Sequence, residues 1–149
     1  MMKRTVIANA FVYALLLMGC GAVQSQSQPP PLEQMKLARQ SGKVSVPVDV
    51  RYQLRAAPRP DQPVGLDLAF VARVPGQNLR FEFPQAQSVT IDSGGTAFAQ
   101  QKAEPKGVVR RSLVVTPRSE AGEVRVLVSL DVEGARYFGV FSIPVRPDR

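Results

Sequence analysis

The sequence has 149 residues, one cysteine, no histidine, no tryptophan and a formal charge of +7. Without histidine there is no Ser-His-Asp or Cys-His catalysis, no histidine-held zinc and no access to the commonest general base. A single cysteine makes no intramolecular disulfide, so the hydrophobic fraction of 44% must supply the core unaided.

The chain opens with Lys3-Arg4 followed by an apolar run, Val6 to Gly19, broken only by Asn9. These 14 residues fall short of the roughly 20 that span a bilayer. They match the apolar region of a secretory signal, about 7–15 residues behind a positive start. The run ends at the only cysteine, Cys20.

Leu17-Met18-Gly19-Cys20 resembles the lipobox of bacterial lipoproteins. The resemblance covers residues 1–20 and carries several implications. Residues 1–19 are a signal peptide, cleaved between Gly19 and Cys20. The Cys20 thiol takes a diacylglyceryl group and its new amine is acylated, and two or more acyl chains give stable anchoring. Gly21 in place of Asp implies the outer membrane, with the body facing the periplasm. The alternative is an ordinary secretory signal cleaved after Ala22, for which Cys20-Gly21-Ala22 is a loose small-x-small site. Loss of Lys3 and Arg4 leaves 17 basic and 12 acidic side chains, a charge of +5.

Residues 20–43 read as the lipidated end and a tether. GAVQSQSQPPP at 21–31 lacks the apolar content to order itself. The triple proline favours an extended run. Leu32, Met35 and Ala38, spaced by three before Ser41-Gly42, fit a two-turn helix.

From Lys43 the period becomes two, which is the pattern of strands with one buried face. Val44, Val46, Val48, Val50, Tyr52 and Leu54 share one face, and Pro47 implies an edge or a bulge. Val64 to Val74 makes a second strand, closed by Pro75-Gly76. Leu79, Phe81 and Phe83 mark a third, and Val89 and Ile91 a fourth before Asp92-Ser93-Gly94-Gly95. Residues 96–101 give a fifth and 108–116 a sixth. Val124 to Val132 is a seventh, turned by Glu133-Gly134-Ala135 into an eighth, Tyr137 to Val145. Seven or eight short strands without a helical stripe predict an all-β domain over 44–149. It resembles an antiparallel immunoglobulin-like or fibronectin-type two-sheet sandwich, without the tryptophan and cysteine pair of antibody domains.

No motif for catalysis, metal or cofactor emerges. Asp49, Asp67 and Asp131 fall in outward strand phase, where exposure is expected. Asp92 to Gly95 reads as a tight turn, since it lacks the acidic density of a calcium loop. Arg110 and Arg111 form the densest basic stretch, with Lys102 and Lys106 upstream. They are candidate contacts for an anionic lipid or glycan, although neighbours in a strand point to opposite faces. Phe138 and Val140 alternate with Phe141 and Ile143, a pattern of either a strand covered on both sides, which is the expectation, or one with an aromatic face exposed for a partner. The expectation is a non-enzymatic, membrane-anchored module that binds another envelope protein, not nucleic acid, with 44–54 as an edge open to strand addition. A glycan- or lipid-binding module is the alternative.

Overall fold

Alternating burial governs the architecture. In the computed structural model, which describes residues 28–43 and 45–147, the long strands bury one side-chain phase between the sheets, and only the central β4 has much of its other phase buried as well. A three-residue 3₁₀ turn, Leu32–Gln34, is followed by ten strands: β1 Lys36–Leu37, β2 Arg39–Ser41, β3 Val48–Leu54, β4 Val64–Ala72, β5 Gly76–Glu82, β6 Val89–Ser93, β7 Phe98–Ala103, β8 Val108–Pro117, β9 Gly122–Val132 and β10 Ala135–Val145.

They form two five-stranded sheets. The front sheet has the order β1-β3-β4-β8-β6 and the back sheet β2-β10-β9-β5-β7, all pairs antiparallel. The core lies between them. Val48, Val50, Leu66, Leu68, Phe70, Leu113 and Val115 from the front meet Leu79, Phe81, Val124, Val126, Val128, Leu130 and Ile143 from the back. Phe70 and Phe81 stack across the gap with centroids 4.0 Å apart and planes within 5°. Phe98 stacks on the other side of Phe81 at 4.7 Å. Aromatic pairs of this kind add to their area burial.

Both lateral seams are closed by chain that changes sheet. On one side β1 pairs with β3 and β2 with β10, and the amide of Ala38 between them donates to the Val50 carbonyl. On the other, β6 pairs with β8, the chain crosses at 94–97, and β7 pairs with β5. The crossing turns at Gly94, whose φ of +80° favours glycine, and a Cβ there would lie 2.2 Å from the Ser112 carbonyl oxygen. Glu133-Gly134 makes the two-residue β9–β10 hairpin with both φ positive, the arrangement that suits strand twist.

Three expectations change here. Two of the ten strands come from the segment read as tether, so the folded body includes residues 32–41 and does not begin at 44. The helix over 32–40 is a single 3₁₀ turn, because Met35 and Ala38 find burial against the sheets and a two-turn helix has little stability alone. The edge at 44–54 is not open, since β1 and Ala38 already occupy part of it. Pro47 sits just outside β3, where its carbonyl accepts from the Arg73 amide.

Candidate functional site

Gly19 and Cys20 lie outside the described residues. Arg110 and Arg111 are both within them, and strand alternation separates the two. Arg110 points outward from the front sheet. Its Nη1 donates to the Pro30 carbonyl at 2.7 Å and lies 3.8 Å from Met35 Sδ. Arg111 points inward, in the phase of Val109, Leu113 and Val115. Its guanidinium carbon sits 4.7 Å from the Phe98 ring centroid and 5.8 Å from that of Phe81, an attraction to the ring faces. The pair does not converge on one ligand.

Arg110 is instead half of a clamp. On β3, Arg51 Nη1 donates to the carbonyls of Leu32 and Met35 at 3.2 and 3.4 Å. In the register Arg51 is opposite Ala69, and Ala69 is opposite Arg110. Ala69 faces outward yet is completely buried, and Met35 is 3% exposed. A buried alanine on an outward face needs a cover. The segment hydrogen-bonded to the arginines on both sides of it supplies that cover. Residues 30–37 therefore form a strap over the front sheet.

Next to the clamp is a polar cluster. Asp67, expected to be exposed, is 9% exposed. Arg55 donates to it twice, Nε to Oδ2 at 2.9 Å and Nη2 to Oδ1 at 2.7 Å, and Ser112 Oγ donates to Oδ1 at 2.7 Å. Gly65 makes this possible, because a Cβ there would lie 2.5 Å from Arg55 Cδ. The Arg55 hydrogen bonds hold the Asp67 carboxyl below the usual carboxylate range, against the opposing effect of burial. These hydrogen bonds tie Arg55, just past β3, to Asp67 on β4 and Ser112 on β8, so the cluster staples the three strands together.

On the back sheet Asp131 accepts from Arg136 Nε at 2.8 Å and from Asn78 Nδ2 at 2.8 Å. Arg136 first, then Asn78, holds its carboxyl down at about 2. Asn78 reaches it from a bulge in β5, where its own φ is +51°. Asp92 accepts from Thr116 Oγ1 at 2.6 Å. Among the described residues no three Asp, Glu, His or Cys side chains gather as a metal site, and no helix is long and apolar enough to cross a membrane.

Among the described residues, nothing supplies the expected cover over Phe138. Phe138 is 58% exposed and Tyr137 37%. The reason is geometric: β2 spans only residues 140–142 of β10, so among the described residues the strand beyond Gly139 has no neighbour on that side. Phe138 projects outward in line with Val140, which is paired with Leu127, and these three apolar side chains form a stripe on the back sheet.

No protein-family model and no curated protein matches the sequence. Among solved structures, the chain is similar to the GAE domain of GGA2p from Saccharomyces cerevisiae. The two are 12% identical, the match covers 76% of this chain and 99% of that one, and the TM-score is 0.50. That likeness concerns the fold alone. The domain is an immunoglobulin-like β-sandwich.

Proposed function

We propose that the chain is an envelope lipoprotein, anchored by an acylated Cys20 to the outer membrane with its body in the periplasm. In this reading the β-sandwich is non-catalytic and acts by binding another envelope protein. The lipobox-like residues 17–20 support the anchor. The stripe of Phe138, Val140 and Leu127 supports protein binding: a phenylalanine more than half exposed at an uncovered strand end has the character of an interface anchor. The flanking ion pairs Arg136–Asp131 and Arg125–Glu123 supply a polar rim.

Two measurements test the parts separately. Radiolabelled palmitate incorporation, lost in Cys20→Ala, tests the anchor, and undiminished labelling in that variant would overturn it. A photo-crosslinking phenylalanine at position 138, in cells, tests the docking face. A discrete protein adduct absent when the crosslinker sits at Lys106 supports the reading, and no adduct at 138 overturns it.

A further inference from the structure

We propose that the outward face of the front sheet is the membrane-facing side of this domain and binds an anionic phospholipid surface. The proposal rests on the reading of Cys20 as the anchor. Its first support is where the chain leaves the body. Arg110 fixes the carbonyl of Pro30, and Arg51 those of Leu32 and Met35, so the strap exits over the middle of this sheet and not at an end of the sandwich. Nine residues, 21–29, lie between Cys20 and Pro30, and the ten steps from one to the other span at most about 35 Å when fully extended. A lipid at Cys20 thus holds this face, more than the opposite one, close to the leaflet.

The second support is the chemistry of the face. Arg55 and Arg73 are neutralised there by Asp67 and Asp49. Arg51 and Arg110 donate to neutral carbonyl oxygens instead, and Arg110 acts on the Asp67 carboxylate only through space and not as an ion pair. Around them stand three of the large exposed apolar side chains: Leu37 at 59%, Val108 at 40% and Val114 at 38%. Leu37 pairs with Arg51, and the two valines alternate with Arg110 and Ser112 along β8. Guanidinium groups set among aliphatic side chains suit the boundary of phosphate headgroups and acyl chains. Membrane contact on this side leaves the Phe138 stripe, on the other sheet, turned away from the lipid.

The experiment supplies the anchor chemically. The chain from Cys20 to Arg149 is coupled through its single thiol to a maleimide lipid in nanodiscs of phosphatidylcholine and phosphatidylglycerol carrying a headgroup nitroxide. Amide broadening is expected to be several-fold stronger at Ser112 and Val114 than at Leu127 and Ser129. Equal broadening of the two sheets, or a stronger effect on the back sheet, overturns the proposal. A second arm measures partition of the unanchored Cys20→Ser chain into phosphatidylglycerol-containing vesicles. Arg51→Gln and Arg110→Gln should each lower it about fivefold. V108S/V114S, which leaves the clamp intact, should lower it as well. Partition unchanged in all variants, or equal binding to pure phosphatidylcholine vesicles, also overturns it. Because the anchor is imposed, failure of palmitate labelling in cells would remove the lipoprotein reading without altering the outcome here.

Discussion

Replacing Asp67 by Asn tests the staple across the front sheet. The change keeps the shape of the side chain and removes its charge. It also turns an amide N–H₂ toward a guanidinium that needs an acceptor, so at least one of the three hydrogen bonds to Asp67 is lost. Hydrogen bonds to charged groups contribute about 1.5–3 kcal/mol. Breaking a fully buried pair costs about 3–5 kcal/mol. The Arg55 side chain is 49% exposed and stays hydrated, so the lower range applies, and about 2 kcal/mol is the expected loss. For a domain of this size that corresponds to roughly 6–10 °C in Tm, read by circular dichroism at neutral pH. The pH dependence fixes the cause. The native pKa of Asp67 is depressed, so its contribution is present above the unfolded value of about 3.9 and disappears as pH falls through the lower native value. The gap between parent and D67N should therefore hold from pH 7 to about pH 5 and narrow below about pH 4. An unchanged Tm at pH 7, or a gap that stays constant down to acid unfolding, would refute the reasoning.

Phe81→Ala removes the ring stacked between Phe70 and Phe98 and should cost about 3–5 kcal/mol, measured by urea denaturation; a loss below 1.5 kcal/mol would show that the rings do not bridge the sheets as described. Ala69→Leu places a larger side chain under the strap, and hydrogen exchange should show lost protection at Ala38 while β4 and β9 stay protected; unaltered exchange at Ala38 contradicts the strap. Gly94→Ala forces a Cβ onto the Ser112 carbonyl and should lower Tm by several degrees, whereas Gly134→Ala, with nothing within 4 Å of its added Cβ, meets only the strain of its positive φ and should lower it less. A reversed order would count against the tight crossing at 94–97.

Period-two alternation carried most of the main strands, because each buries one phase against the other sheet, whereas β7, FAQQKA, carries no such pattern. The strap was not legible. The spacing of Leu32, Met35 and Ala38 imitates a helix, and its true partners, Arg51 and Arg110, are contributed by β3 and β8. Asp67 stands in an outward phase, and only a long arginine passing over Gly65 encloses it. The alternation around Phe138 says which way the ring points. Whether anything covers it depends on the length of β2, a strand too short to leave a pattern. The opposed directions of Arg110 and Arg111, by contrast, follow from adjacency in a strand.

The strap determines how the domain responds to being pulled. A load applied upstream of residue 30 meets three arginine hydrogen bonds and then two strands with only two and three paired residues. These contacts peel one at a time. At the far end of the described chain, β10 is held to β9 at eleven register positions. Tension from the amino-terminal side is therefore absorbed first as released chain, at most about 40 Å of contour from residues 30–41, while the stacked phenylalanines and the ladder behind them stay intact, and the released strap can re-dock when the force falls.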